Sequence, residues 1–473
     1  MKILFAGSEA TPFCKTGGLA DVLGSLPPAM AERNHDVSLV LPKHQVIKDT
    51  YQETLTLIHQ TSVQVHNKEE YVGIETMTHN GIRVYVIDNE YYFGYRPNLY
   101  GDFDDGERYG FYVQAIKKLL EYLNTPFDIV HAHDWQTGLL SYVLKSSNDD
   151  LLKYPKMVFT IHNIAYQGQF DKGLFPYLGI PYSPEIEFSD MINFLKTGIV
   201  TSDYITTVSK TYSEELTHAY FAYGMEKLLN ERRHIFTGIL NGIDTDSFNP
   251  KTDTKIAHNY SAYNYLKGKK ANKDALLNMF HVQNGHKPVV GIVSRLTEQK
   301  GLNLVLDTIS PFLEDDRLTL IVLGTGEQDI EGAFENLKQR FPRNVGLYIG
   351  YSDTIARQIY AGSDLFLMPS RFEPCGLAQM ISLRYGTLPL VRQTGGLKDT
   401  ITPFNQYTHE GNGFGFMNFD AEDFARTLEA ALQTYKTYDV FKKMIRRGMM
   451  EDFSWTRSAE TYEQMYQHLL GGK

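Results

Sequence analysis

Apolar residues in this chain come in short blocks closed by polar or glycine-rich runs, and between the blocks they recur at helical spacing. Blocks flanked by turn residues read as buried strands, and their alternation with helices is the pattern of stacked β-α-β units around parallel sheets. In the first half the pattern predicts strands at Lys2 to Ala6, Asp36 to Leu41, Ile82 to Ile87, Asp128 to Ala132, Met157 to Ile161 and Tyr204 to Val208. Helices fall between them, most clearly Glu107 to Leu123. His79-Asn80-Gly81 marks a hairpin turn, so this sheet is expected to carry an antiparallel pair.

A second series follows Ile239-Leu240-Asn241-Gly242-Ile243-Asp244, with strands at Val289 to Val293, Leu318 to Leu323, Val345 to Ile349, Leu365 to Met368 and Leu388 to Val391. The polar stretch from Asn249 to Asn264 reads as the linker. The expectation is therefore two α/β lobes, residues 1–245 and 246–454, with a terminal helix over 455–473 docking back on the first lobe. A chain of 473 residues exceeds what one hydrophobic core usually serves, which agrees with two lobes.

Composition removes several function classes. The formal net charge of -10, with no Lys/Arg-rich block, argues against nucleic acid and anionic membranes as partners. No stretch approaches the roughly 20 apolar residues of a membrane span, and the first apolar run breaks at Ser8-Glu9, too early for a signal-peptide core. Cys14 and Cys375 offer no disulfide framework, so a cytoplasmic setting is expected.

Two near-identical phrases carry the first hint of chemistry: Thr16-Gly17-Gly18-Leu19-Ala20-Asp21 and Thr394-Gly395-Gly396-Leu397-Lys398-Asp399. Each follows an expected strand and opens a segment able to start a helix. Paired glycines there turn the backbone tightly and leave N–H groups bare toward an anion, so each phrase is expected to face one shared anionic ligand. Only the first phrase is preceded by a cation, Lys15; Gln393 stands at the corresponding place in the second.

Ligands of open α/β sheets bind beyond the carboxyl ends of strands. The residues at those exits are polar throughout: Lys15 to Gly18, His133-Asp134, His162-Asn163, Asn241, Ser294-Arg295, Gly324-Thr325-Gly326, Tyr351, Arg371 to Gly376 and Thr394 to Gly396. Arg295 and Lys300, bracketing a polar loop before a helix, suit one phosphate group, arginine as a bidentate donor and lysine as a point charge. Glu373 lies close before Gly376 and reads either as a ligand contact or as a helix-start acid. The histidines of His131-Ala132-His133-Asp134 and His162 lack a complete ligand set, so no metal is expected and a polar sugar-binding rim is preferred. Asp102-Phe103-Asp104 and Asp244-Thr245-Asp246 read as solvated turn acids. Tyr91-Tyr92-Phe93-Gly94-Tyr95 is an aromatic cluster suited to stacking on sugars or bases. No Gly-x-Gly-x-x-Gly fingerprint follows the first strand, which counts against a nicotinamide-dependent oxidoreductase.

Taken in order, Lys15 to Asp21, His131 to Trp135, Asn241 to Asp244, Ser294-Arg295-Leu296 with Lys300-Gly301, Pro369 to Gly376, and Arg392 to Leu397 resemble the family of bacterial glycogen synthases and plant starch synthases across essentially the whole chain. The resemblance implies a GT-B fold, two Rossmann-like doubly wound domains facing a deep interdomain cleft. It implies a retaining transfer of glucose from ADP-glucose to the non-reducing end of an α-1,4-glucan, with no cofactor. Carried over by position, Lys15, Gly17 and Gly18 contact the diphosphate and glucose, and Arg295 and Lys300 hold the distal phosphate. Glu373 orients glucose hydroxyls, with Cys375, Gly376 and Leu377 beside it, and His162 lies near the anomeric carbon. Asp134, Asn163 and Asn241 face glucose or acceptor; Asp21 and Tyr95 face the acceptor; Tyr351 stacks on adenine; Thr394, Gly395 and Gly396 close on the phosphates. A UDP-glucose-dependent enzyme with another acceptor and a catalytically silent glucan-binding protein remain the alternatives, and oligomeric state is not legible.

Overall fold

The computed structural model describes residues 1–283 and 285–471. It separates into two compact units, residues 1–242 with 455–473, and residues 243–454.

The first unit is built on a nine-stranded sheet. Its strands are β1 (Lys2–Ala6), β2 (Asp36–Pro42), β3 (Thr56–Val65), β4 (Lys68–His79), β5 (Ile82–Asp88), β6 (Ile129–His133) and β7 (Lys156–Ile161), then, beyond the short strands β8 (Gln169–Phe170), β9 (Glu187–Phe188) and β10 (Met191–Asn193) of a separate small sheet, β11 (Tyr204–Thr207) and β12 (Phe236–Gly238). The spatial order is β12-β11-β7-β6-β1-β2-β5-β4-β3, parallel except for the β5-β4-β3 meander. The Asn80-Gly81 turn joins β4 to β5 as expected, with Asn80 and Gly81 both at positive φ. The long strands β3 and β4 were not legible: β3 is mostly exposed or half-buried along its length, so no apolar block marks it.

Strand order reverses at β1, with β2 on one side and β6 on the other, so the exits of β1 and β6 are where an open α/β sheet is expected to bind a ligand. The helix Gly18–Glu32 after β1 buries Leu19, Ala20, Val22, Leu23, Leu26 and Met30 against the sheet. The terminal helix, Trp455–Leu469, packs on this same core through Trp455, Ala459, Tyr462, Met465 and Tyr466. Arg33 Nε and His35 Nε2 fix it by bonding Glu463 at 2.7 and 2.9 Å. Residues 472 and 473 of the expected helix lie outside the described residues.

The second unit carries six parallel strands, β13 (Val289–Val293), β14 (Thr319–Gly324), β15 (Val345–Ile349), β16 (Leu365–Met368), β17 (Leu388–Arg392) and β18 (Phe414–Phe416), in the order β15-β14-β13-β16-β17-β18. The reversal here lies between β13 and β16, whose exits lead to Arg295 and Arg371. The polar stretch 249–264 is no linker. Asp253 is buried with Tyr385 and Arg357, Tyr260 is buried with its hydroxyl on Tyr385 O at 2.7 Å, and Asn272 holds Ala257 N at 2.9 Å. Its exposed residues face solvent, but several of its polar groups are tied into the unit by these hydrogen bonds.

Candidate active site

In the first unit, the loop leaving β1 runs through Glu9 and Lys15 to the Gly17-Gly18 turn. Glu9, only 2% exposed, accepts from the Thr16 backbone N–H and from Thr16 Oγ1 at 2.7 Å, and the Gly17 N–H points at it as well. Burial raises its pKa, partly offset by those hydrogen bonds. The expectation that the turn keeps its N–H groups bare is thus corrected: an internal carboxylate takes those of Thr16 and Gly17. Gly18 opens the helix, where a backbone N–H needs no intrahelical partner. A Cβ on Gly18 would meet nothing within 4 Å, and one on Gly17 only Glu9 Oε1 at 3.8 Å. Lys15 Nζ stands beside this open space, paired with Asp21 Oδ1 at 2.7 Å on the helix's first turn.

Asp134 follows β6 at φ 57°, an uncommon conformation for a non-glycine residue that aims its carboxylate back at the exit of β7. Its Oδ1 accepts the His162 N–H at 2.7 Å, with Asn163 N–H as a second donor. No cation pairs with it among the described residues, and burial pushes its pKa up to about 7. His162 Nε2 meets His133 Nδ1 at 2.9 Å, and burial depresses the pKa of His162 to about 3 and that of His133 well below its ordinary value. Asn163 Oδ1 is spent on its own loop, accepting Ala165 N at 3.1 Å. Asn241, after β12, is buried, and its Oδ1 has no hydrogen-bond partner among the described residues. Tyr95 is 70% exposed beyond the turn Glu90–Gly94, with Lys48 Nζ 5.0 Å over its ring.

In the second unit, the exits of β13, β16 and β17 converge. Lys300 Nζ lies 2.6 Å from Glu373 Oε2, which also accepts Ser370 Oγ at 3.0 Å. Arg295, exposed after β13, has no hydrogen bond or ion pair for its guanidinium among the described residues. Gly396 N–H is not bare: it donates to Glu373 O at 3.1 Å and Pro374 O at 3.2 Å. A Cβ on Gly395 (φ 45°) would collide with Glu373 O, and one on Gly396 with Cys375 O. These glycines therefore let the Thr394 turn dock on the Glu373 loop. Thr394 is buried before the short helix Gly395–Thr400. Cys375 is buried, Gly376 turns the chain at φ 72°, and half-buried Leu377 leads into the helix Ala378–Arg384. Gln379 Nε2 secures this bend through Cys375 O at 3.1 Å and Gly376 O at 2.9 Å. Tyr351, after β15, presents an 81% exposed ring.

One reading of the turn acids changes and the other holds. Asp102 and Asp104 are not solvated turn acids: Asp102 bonds the fully buried Arg108 at 3.0 Å and Asp104 bonds Arg96 at 2.5 Å, because a guanidinium inside the domain must be paired. Asp244 does behave as a turn acid, accepting Asp246 N at 3.0 Å and Ser247 N at 2.9 Å. Sequence reasoning missed Glu9, for which the only signal was a carboxylate interrupting the apolar run, and missed that Arg392 Nη1 caps Arg371 O at 2.5 Å beside Phe419. Among the described residues no group of three or more His, Cys, Asp or Glu could hold a metal ion, and no helix is long and apolar enough to cross a membrane.

Comparison with known proteins supplies the context. The family described as the starch synthase catalytic domain matches residues 2–231, and glycosyl transferases group 1 matches residues 278–448. The chain is 43% identical to a glycogen synthase of Geobacillus thermodenitrificans, over 99% of this chain and 98% of that one. It is 42% identical to a glycogen synthase of Geobacillus stearothermophilus at the same coverage. Among solved structures it is similar to the catalytic domain of starch synthase IV from Arabidopsis thaliana bound to ADP and acarbose, with TM-score 0.91 and 32% identity over 99% of both chains.

Proposed function

This chain belongs to the glycogen synthase and starch synthase family, and from that premise we propose that its donor is ADP-glucose and its acceptor the non-reducing end of an α-1,4-glucan, with retention at the anomeric carbon. The reaction class is glucosyl transfer in glycogen synthesis, on a GT-B fold. The observation that carries the proposal is the open space over Gly17 and Gly18 beside Lys15, at the exit of β1. The ADP present in the Arabidopsis structure supports the choice of nucleotide.

Departure of ADP leaves positive charge on the glucosyl centre and negative charge on the diphosphate, and catalysis is the stabilisation of both. Lys15, Arg295 and Lys300 take the negative side. Lys300 can do so without abandoning Glu373, since an ammonium has three N–H donors and the carboxylate uses one. With Glu9 holding Thr16 and Gly17, the first turn meets the ligand through the Gly18 N–H and Lys15. Glu373, fixed by Lys300 and Ser370, serves the glucose hydroxyls and the developing positive charge. The acceptor hydroxyl attacks from the leaving-group face, which gives retention, and its proton passes to the departing phosphate oxygen. Two buried cysteines outside any disulfide fit a reaction in the cytoplasm.

The test is direct. Purified protein is incubated with glycogen and either ADP-glucose or UDP-glucose, and nucleotide release is measured with glucan growth. Turnover with ADP-glucose, unchanged by a chelator, is expected. Preference for UDP-glucose, or glucan binding without turnover, overturns the reading.

A further inference from the structure

The histidine pair behind the β6 and β7 exits bears on which proton His162 offers its substrate. His133 is fully buried, its Nδ1 lies 2.9 Å from His162 Nε2, and its own Nε2 is a buried atom with no hydrogen-bond partner among the described residues. His133 cannot turn away, because its ring lies against that of His131, the centroids 4.1 Å apart and the planes tilted by 33°. His131 is itself pinned at both nitrogens, by Tyr466 Oη of the terminal helix at 2.6 Å and by Thr160 Oγ1 at 2.6 Å. Burial keeps both members of the pair neutral, so each carries a single N–H.

Two arrangements satisfy a 2.9 Å nitrogen–nitrogen contact. In one, His162 Nε2–H donates to His133 Nδ1; His133 then bears its proton on Nε2, where it would be an orphaned buried donor. In the other, His133 Nδ1–H donates to His162 Nε2, and the unpartnered atom is merely an acceptor. Orphaned buried N–H groups are the rarer and costlier of the two. We infer that His133 is a positioning residue that fixes His162 as the Nδ1–H tautomer, so that His162 presents a hydrogen-bond donor, not an acceptor, to a hydroxyl of the transferred glucose. His162 Nδ1 has no partner among the described residues; Asp134 holds the residue's backbone N–H at 2.7 Å and His133 Nδ1 holds the far side of its ring at 2.9 Å, which orients the proton on Nδ1. The inference rests on the proposed placement of His162 beside the donor sugar.

Three measurements separate the inference from the reading beneath it. Nitrogen-15 spectra of the unmodified full-length protein, with the His162 signals identified by their loss in His162→Gln, are expected to show a protonated Nδ1 and an unprotonated Nε2. The reverse pattern overturns the inference irrespective of any activity. His133→Asn, whose amide N–H can take the place of Nδ1–H, is expected to keep kcat near the parent value. His133→Leu, which cannot donate, is expected to lose about tenfold in kcat/KM, the size of one hydrogen bond, at an unchanged pH profile. Equal losses in both variants overturn the positioning role, since a purely packing residue tolerates leucine at least as well as asparagine. If His133→Leu fails to fold, the spectrum and the asparagine variant still decide. If His162→Ala leaves turnover intact while the spectrum shows the expected tautomer, the placement of His162 at the sugar fails and not the tautomer assignment.

Discussion

The same four residues, Thr-Gly-Gly-Leu, occur at 16–19 and at 394–397, and the fold puts them to opposite uses. At the first turn, side chains on Gly17 or Gly18 would meet almost nothing, so no packing contact within the unit requires glycine there, and the proposed ligand has room. At the second, added carbons would strike Glu373 O and Cys375 O, so glycine is there because another segment of the same unit occupies the space. The surrounding charges differ in the same sense. Glu9 and Asp134 near the first turn are held by neutral donors, backbone N–H groups and for Glu9 also the Thr16 hydroxyl, and their pKa values are raised by burial, whereas Glu373 near the second has Lys300 at 2.6 Å. The lesson is that a glycine pair after a strand marks close approach without saying of what. Only the neighbours distinguish a ligand's space from a packing contact.

That contrast can be broken experimentally. The largest effect is expected for Lys15→Ala, which removes a preorganised charge at the open turn: turnover should fall by roughly 10² to 10³ with the melting temperature unchanged. Near-normal turnover would take Lys15 out of the phosphate site. Gly396→Ala should act on stability instead, by about 3 kcal/mol in chemical denaturation, because its neighbour is backbone and cannot yield. If Gly396→Ala were as stable as the parent, the packing assignment of the second turn would fall. Gly18→Ala is the mirror experiment. It should leave stability intact or slightly improved, as alanine favours helix, while raising the KM for the sugar nucleotide by about tenfold through crowding of the ligand. An unchanged KM would mean that the open space is not the ligand's.

The last effect is a pH slope in stability set by Asp134. Its pKa is about 7 in the folded protein against 3.8 ordinarily, so between about pH 4 and pH 7 the native state binds more protons than the unfolded one. Stability should therefore fall as pH rises through that window, and Asp134→Asn should flatten the fall. Equal slopes for the parent and Asp134→Asn in urea titrations at several pH values would show that Asp134 ionises there without cost.

Much of the architecture was legible because parallel strands are buried on both faces and write themselves as apolar blocks. β1, β2, β5, β6, β7, β11 and all but the last strand of the second sheet fall where the pattern places them. β3, β4, β8, β9, β10, β12 and β18 were not, the first two because a partly exposed meander has no continuous apolar block, the others because each is only two or three residues long. The polar run 249–264 misled because buried hydrogen-bonding networks and solvated linkers use the same residues.

What the sequence determined by itself was the alternation that makes two parallel sheets, the polar residues at their strand exits, and the ordered motifs that identify the family, since all three are properties of local order along the chain. What only the tertiary structure decided was who partners whom. Glu9 closing the Thr16 turn, Lys300 meeting Glu373 across 73 positions, and His133 holding His162 across 29 are contacts between segments that the fold alone brings within hydrogen-bond range. Electrostatics and hydrogen bonding depend on distance in space, and a sequence records only distance along the chain.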